Sequence, residues 1–385
     1  MVSFENELKY WTMERVEALI AGCTSTDVER AVSRPDRSVE DLAALLSPCA
    51  SSLLEPMARE AQRLTRWHFG RTVGLYAPIY VSNVCGADCA YCNYAVRTGG
   101  GQKRVTLNEV QIRQECAALA ARGFQQVLLL TGEAPGKASV AYLAEAVSVA
   151  REYFASVSVE IYALDGEGYE RLVERGLEGV SLYMETYDRE TYAQVHRAGE
   201  KMNYAYRLEG IERAGRAGVR RLSLGVLLGL FDWRVDAFWL ALHARHVQKA
   251  CWQSAVSISF PRLRNTPEGF QALAPVGDRA LVQMMLALRL FLPQAGFNLS
   301  TREGAGFRDH LLPLGVTMMS AGSSTRPGGY SLDGGETLDQ FAVEDCRSVA
   351  EVADSIRGAG YDPVWKDFDR AFVEDVAVIG GKGRT

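Results

Sequence analysis

The chain has 385 residues, 48% of them hydrophobic, and a formal net charge of −5. That is ample apolar material for a large core, and the length suits two or three domains or a single α/β barrel. Nucleic-acid binding finds no basic block, and the longest apolar candidate for a membrane span, Met284–Pro293, is short and broken by Arg289. The N-terminus has neither the basic start nor the apolar core of a signal peptide.

Residues 1–73 lack strand runs. Val39–Leu46 and Ser52–Trp67 carry helical apolar spacing, punctuated by Pro48 and Pro56, and predict a helical extension. From Leu75 the rhythm changes. Strands are expected at Leu75–Ser82, Gln126–Leu130, Val157–Ala163, Gly179–Met184, Arg221–Leu228, Ala255–Phe260, Phe297–Thr301 and Val316–Ser320. Helices are expected between them at Leu107–Arg122, Ser139–Phe154, Glu167–Arg175, Tyr204–Ala217, Trp233–Cys251, Asp278–Leu292 and Phe307–Leu314. Gly123, Gly176 and Gly218 stand where helices should stop. Largely apolar strands alternating with helices predict a closed (β/α)8 TIM-type barrel over residues 74–322; an open doubly wound sheet is the competing arrangement. Residues 323–385 form a C-terminal extension packing on the barrel, with a loop from Gly328 to Gly335, a helix at Val349–Arg357 closed by Gly358, and an extended tail at Gly360–Asp367.

Five of eight cysteines (Cys23, Cys49, Cys116, Cys251, Cys346) are scattered and read as small hydrophobes, which suits a reducing compartment such as the cytoplasm. The other three form Cys85-x3-Cys89-x2-Cys92 just after the first strand. A cubane cluster has four irons, so three thiolates leave one iron open for another ligand. Zinc would want a fourth Cys or His, and between His68 and His196 there is no histidine. A redox dithiol at Cys89 and Cys92 would not need Cys85.

In a barrel, function collects where strands end. The second strand ends in Thr131-Gly132-Glu133, where a glycine lets backbone approach a ligand or simply makes a turn. The third carries Glu160, the fourth ends in Glu185-Thr186, and Arg207 opens the next helix; structural ion pairing is the plainer reading for each. Gly225-x3-Gly229 offers a flat backbone surface or close packing. Arg302, in Ser300-Thr301-Arg302-Glu303, and Ser320 form a candidate carboxylate clamp, against a salt bridge to Glu303 or Asp309. Arg262 and Arg264 read equally well as surface ion pairs.

Cys85-x3-Cys89-x2-Cys92 with Tyr91 before the last cysteine, and Gly132-Glu133 after the second strand, resemble the radical S-adenosylmethionine (SAM) enzymes. Leu129-Leu-Thr-Gly-Glu133, Glu185-Thr-Tyr187, Asp232-Trp-Arg-Val-Asp236, Ser259-Phe-Pro-Arg-Leu-Arg264, Ser300-Thr-Arg-Glu303, Pro327-Gly-Gly-Tyr330 and Pro363-Val-Trp-Lys-Asp367 narrow the resemblance. They look like the 2-iminoacetate synthase family (ThiH) of the aromatic amino-acid lyase branch. The resemblance implies that Cys85, Cys89 and Cys92 hold a [4Fe-4S] cluster, with SAM on the open iron. It places Thr131, Gly132 and Glu133 near the SAM amino group, Glu160 near the ribose, and Glu185 and Arg207 near the methionyl end. Tyr91 and Gly225 would flank the adenine, and Arg302 and Ser320 would hold the substrate carboxylate.

The implied reaction cleaves the Cα–Cβ bond of L-tyrosine to p-cresol and 2-iminoacetate, with 5′-deoxyadenosine and methionine formed, for the thiazole of thiamine. The implied partners are a thiazole synthase (ThiG) and an electron donor such as flavodoxin or ferredoxin. A tryptophan lyase of the same branch is the nearest alternative, and an iron–sulfur electron carrier without substrate chemistry is another. The hydrogenase-maturation tyrosine lyase needs a second cysteine cluster, whereas only Cys346 follows residue 320. Three places depart from the family pattern: Asn93-Tyr94 stand where Gly-Phe is usual, Arg326 where Gln is usual, and Gly99–Gly101 form a loose triplet.

Overall fold

Eight parallel strands close on themselves in this computed structural model, which describes residues 3–97, 103–264, 266–267, 269–332 and 337–366. The Gly99–Gly101 triplet, Gly335 and Asp367 lie outside the described residues. The strands are β1 (Thr72–Ser82), β2 (Gln126–Thr131), β3 (Ser156–Glu160), β4 (Gly179–Ser181), β5 (Arg221–Gly225), β6 (Ala255–Ser259), β7 (Gly296–Leu299) and β8 (Met318–Ser320). Each pairs with the next, and β1 pairs with both β2, through Ala77 and Val127, and β8, through Leu75 and Met319. The sheet is therefore a closed (β/α)8 barrel. An open sheet would leave β1 and β8 unpaired.

The alternation inside the strands decides where the core lies. In Ser156-Val-Ser-Val-Glu160, Arg221-Leu-Ser-Leu-Gly225, Ala255-Val-Ser-Ile-Ser259 and Gly296-Phe-Asn-Leu299, every second residue is apolar. Val157, Val159, Leu222, Leu224, Ile258 and Phe297 are buried in one cluster with helix residues such as Leu143, Phe238, Leu240 and Leu288. The main core is thus the ring between sheet and helices. The other residues of each strand face the axis, where Asn298 Nδ2 donates to Ser223 Oγ at 3.0 Å and to Ser257 Oγ at 3.2 Å.

Local chemistry sets the helix ends. Asn108 and Gln111 form a reciprocal capping box at the start of Glu109–Ala120, and Asp165 and Asp232 cap the helices that follow them. Gly123, Gly176 and Gly218 take the positive φ expected of helix stops. Several boundaries differ from expectation. The N-terminal extension holds three further helices, Phe4–Tyr10, Met13–Ala21 and Ser25–Ser33. The polar segment Arg189–Val195 is also a helix, capped by Asp188. The helix expected over 204–217 divides into Tyr204–Leu208 and Gly210–Arg216. Gly358 is the last residue of its helix, and the left-handed stop is Gly360, at φ 80°. The extended tail becomes a ninth strand, β9 (Asp362–Val364), parallel to Thr72–Gly74. No helix among the described residues is long and apolar enough to cross a membrane.

The C-terminal extension is pinned near the end of β8. The Arg308 and Asp345 side chains are both fully buried and pair with each other, while Arg308 Nη2 donates to the Ser320 carbonyl at 2.6 Å. Removing one partner of such a pair leaves an uncompensated buried charge. Asp345→Ala should therefore lower unfolding stability by about 3–5 kcal/mol in urea titrations, and an unchanged midpoint would contradict this packing.

Candidate active site

The cysteine loop begins where β1 stops at Ser82, and two flanks hold it. On one side the turn after β2 presses against it: Gly132 N–H donates to the Ser82 carbonyl at 3.2 Å and Gly86 N–H to the Glu133 carbonyl at 2.7 Å. A Cβ at Gly132 would lie 2.8 Å from Cys85 Cβ and closer still to the Val84 carbonyl oxygen. Only glycine permits this approach. On the other side the loop forms a short antiparallel pairing with the chain after helix Arg189–Val195. Cys89 bridges His196, Ala90 N–H donates to the Val195 carbonyl at 2.8 Å, and Arg197 N–H to the Asp88 carbonyl at 2.9 Å.

The loop's end is tied to the C-terminal extension through Asn93 and Tyr94, the first of the places that depart from the family pattern. Tyr94 OH donates to the Thr325 carbonyl at 2.7 Å, and Asn93 Nδ2 to the Asp339 carbonyl at 3.2 Å. Tyr94 N–H also points to Cys92 Sγ at 3.4 Å.

The three cysteines line one cavity of about 1140 Å³, part of it open to solvent, together with Tyr91, Gly132, Glu133, Glu160, Glu185, Arg207 and Arg302. Five strand ends and the loop between β4 and β5 thus supply one coherent site, as the barrel rule requires. Burial pushes the Cys89 thiol up to about 12 and raises Cys85 and Cys92 as well. These thiols give up their protons to a metal rather than to neutral water.

Thr131 Oγ1 and Glu133 Oε2 are buried with no hydrogen-bond partner. Such orphaned groups are costly unless a ligand supplies the missing contacts. Three thiols beside unsatisfied polar atoms fit a metal cluster with a polar ligand next to it. Zinc fits poorly. Among the described residues no three Cys, His, Asp or Glu side chains converge on a single-ion site. His196 is near the loop, but both ring nitrogens are engaged: Nδ1 bonds the Tyr192 carbonyl at 2.9 Å and Nε2 the Tyr91 hydroxyl at 2.8 Å. A carbonyl only accepts, so Nδ1 carries the proton and Tyr91 donates to Nε2. Burial holds His196 down to about 2, which keeps the ring neutral.

Charged groups face the cysteines from β2, β3 and β4. Arg207 Nη1 bonds Glu133 at 3.2 Å, its Nε donates to the Tyr183 carbonyl at 2.7 Å, and its Nη2 lies 3.8 Å from Glu185. Glu185 is also paired with Lys201 at 2.7 Å. Burial alone would raise Glu185, yet Lys201 and Arg207 outweigh it and hold the carboxyl below its usual value. Glu185 has φ 70°, strained for a residue with a Cβ. Its neighbours enforce that turn: Leu227 N–H donates to the Glu185 carbonyl at 2.8 Å, and Asp236 accepts from Tyr187 N–H at 2.8 Å. Two of the family-like strings, Glu185–Tyr187 and Asp232–Asp236, meet in this contact.

Lys201 was not foreseen. It lies in a one-turn helix, Glu200–Met202, away from any strand end, so the strand-end rule passes over it. Glu160 faces the cavity with no hydrogen bond to another described side chain. Burial, followed by the nearby Glu185, pushes it up to about 7.

Arg302 lines both this cavity and a deeper one, which Ser320 also lines. Neither salt bridge weighed against it forms: Glu303 pairs with Arg262 and Arg264, and Asp309 with Arg347. The guanidinium lies 3.5 Å over the Phe341 ring, so its fork stays open to a carboxylate. Ser320 Oγ accepts from Thr301 N–H at 3.2 Å, next to Arg302 in the chain. Arg262 is buried rather than on the surface. Gly225 does not line the cavity. A Cβ there would stand 2.7 Å from both the Tyr183 ring and the Ser259 carbonyl oxygen, so this glycine admits close packing beside the site.

Comparison with known proteins agrees with this geometry. Residues 79–242 match the Radical SAM superfamily, and residues 259–362 match the Biotin and Thiamin Synthesis associated domain. The chain is 43% identical to a 2-iminoacetate synthase from Salmonella typhimurium, covering 96% of this chain and 97% of the relative. It is 42% identical to that of Escherichia coli, with the same coverage. Among solved structures it resembles HydG, a maturase of the [FeFe]-hydrogenase, with a TM-score of 0.86 and 30% identity, covering 92% of this chain and 80% of that one. Methylornithine synthase (PylB) shares the fold, with a TM-score of 0.70 at 23% identity over 88% of this chain and 97% of that one.

Glu160 yields a pH test. Its folded-state value of about 7 lies above the ordinary 4.5, so the folded protein keeps a proton that the unfolded chain releases. That stabilising contribution is complete below pH 4.5 and is lost as pH rises through about 7. In protein without cluster or SAM, wild type should lose roughly 3 kcal/mol relative to Glu160→Gln between about pH 5 and about pH 8 in denaturant titrations. A pH-independent difference would contradict the placement.

Proposed function

The chain belongs to the 2-iminoacetate synthase family of radical SAM enzymes, and from that premise we propose how its own residues carry the family's reaction. The protein is a radical SAM carbon–carbon lyase. It cleaves the Cα–Cβ bond of L-tyrosine to p-cresol and 2-iminoacetate, for the thiazole of thiamine.

Cys85, Cys89 and Cys92 would hold a [4Fe-4S] cluster, with SAM as its further ligand. When bound, the reduced cluster and SAM supply the one-electron chemistry that removes a hydrogen atom from the substrate. The chain's own part is placement and exclusion of water. Thr131 and Glu133, with their unsatisfied buried oxygens, offer partners to the SAM amino group. Glu160 is assigned to the ribose, Glu185 and Arg207 to the methionyl end, and Tyr91 and the Gly225 backbone to the adenine. Lys201 keeps Glu185 ionised beside that end.

Arg302 and Ser320 take the tyrosine carboxylate. The open Arg302 fork, between the cysteine-lined cavity and the deeper one, is the observation that carries this assignment. Clamping the carboxylate there fixes the amino group and the Cα–Cβ bond beside the reacting centre while the phenol ring stays on the other side. We further propose that the chain is organised as a helical extension (1–73), a barrel (74–322) and a C-terminal extension (323–385). It works in the cytoplasm, draws electrons from a flavodoxin or ferredoxin, and hands its imine to the thiazole synthase ThiG.

After anaerobic reconstitution with iron and sulfide, dithionite and SAM should convert tyrosine to p-cresol. Deoxyadenosine without p-cresol would point to a different substrate. Arg302→Ala should lower kcat/KM for tyrosine by about 100-fold or more, the loss expected for a charge-assisted contact, while slow SAM cleavage persists. Equal loss of both would contradict the clamp. Cys89→Ala should abolish iron loading and activity together.

A further inference from the structure

The barrel axis is hollow, with small polar side chains set among apolar ones such as Leu128 and Met318, whereas barrels of this class commonly fill it with layers of branched apolar side chains. Three cavities stand in series along it. The deep end of the active site, lined by Arg302, Ser320 and Glu160, shares Tyr76, Leu128, Tyr183 and Asn298 with a second cavity. That second cavity shares Arg221, Ser257, Asn298 and Met318 with a third. The third is lined by Thr72, Ala255 and Gly296, the first residues of their strands, and by Arg220, which directly precedes β5. Thr72, Arg220 and Ala255 are exposed, so this mouth opens on the barrel face opposite the cysteines.

The walls between are serines 158, 181, 223 and 257, with Asn298 and Gln126. Side-chain hydrogen bonds cross the axis at the junctions, among them those from Asn298 to Ser223 and Ser257. Tyr183 OH bonds Ser259 Oγ at 3.0 Å, and Arg221 Nη1 donates to Gln126 Oε1 at 2.8 Å. The latter bond fixes the Gln126 amide, and its Nε2 is left buried with no partner, although Gln126 is only 3% exposed. An unsatisfied amide donor beside a guanidinium is the pairing that a small carboxylate would complete.

We propose that the axis is a passage for a small carboxylate, by which 2-iminoacetate leaves through the N-terminal mouth while p-cresol leaves through the cysteine-side mouth. This rests on the tyrosine-lyase reading: the carboxylate-bearing fragment is the one clamped at the deep end, next to the second cavity. The fragment is two carbons long and anionic, matching the serine-lined bore and the Gln126–Arg221 constriction.

The test compares loaded wild type with Ser223→Phe, given one equivalent of tyrosine and separated from solution by rapid filtration. p-Cresol formed in that first turnover reports on the lyase reading alone. The passage predicts that glyoxylate, the hydrolysis product of the imine, enters the filtrate about tenfold or more slowly from Ser223→Phe, with p-cresol release unchanged. Equal release of both products would overturn it. A second measurement needs no turnover and covers a variant that folds poorly. In Ser223→Cys, the anionic reagent (2-sulfonatoethyl) methanethiosulfonate should modify the introduced thiol, read by peptide mass mapping, with SAM and tyrosine bound. Adding Ser257→Trp should slow that modification by about tenfold. No modification, or complete protection by SAM and tyrosine, would overturn the passage.

Discussion

Everything at the site depends on one close approach, that of the Gly132 backbone against the chain at Val84 and Cys85. It locks the turn after β2 to the start of the cysteine loop, with the bonds from Gly132 to Ser82 and from Gly86 to Glu133 on either side. A loop bearing one buried and two half-buried thiols has no ladder of its own and must borrow rigidity. It takes it from β2 on one flank and from the segment around His196 on the other. The same turn carries Thr131 and Glu133, so the contact that positions the cysteines also positions the groups beside them.

The barrel supplies two different interiors. Alternate residues on β3, β5, β6 and β7 send their apolar side chains outward, and these build the stabilising core under the helices. The remaining residues, Ser158, Ser223, Ser257 and Asn298 among them, are mostly small or polar and face the axis. Stability is therefore carried by the ring and chemistry by the centre, so the axis can stay open without emptying the core. Charge follows the same division. Glu133, Glu160 and Glu185 meet Lys201, Arg207 and Arg302 around the cavity, where low polarity makes each pairing strong and each unpaired group conspicuous.

The barrel was legible because strand–helix alternation and capping are local signals. Asn108, Asp165 and Asp232 announce their helices, and Gly123, Gly176 and Gly218 end theirs. The family-like strings were legible as text, but their physical purpose appears only in three dimensions. Ser259–Arg264 and Ser300–Glu303 meet because Arg262 pairs with Glu303, and Tyr330 of Pro327–Tyr330 bonds the Pro78 carbonyl on β1. What stayed hidden depends on long-range contacts. Arg189–Val195 is short and polar, and it becomes a helix because Asp188 caps it and Tyr192 and Val195 are buried. Lys201 gains its role from Glu185 across a turn. The axis was hidden for a different reason: Ser-Val-Ser-Val and Ala-Val-Ser-Ile look apolar when read for strand content, and only their period of two separates the faces.

Three thiolates holding a four-iron cluster with one iron left to SAM is the claim on which the chemistry turns. Mössbauer spectroscopy of protein reconstituted with ⁵⁷Fe, recorded before and after SAM is added, tests it most directly. The expected result is one iron in four changing its isomer shift and quadrupole splitting when SAM binds, with the other three unmoved. Four irons that ignore SAM, or a protein that binds no cluster while all three cysteines are intact, would contradict it.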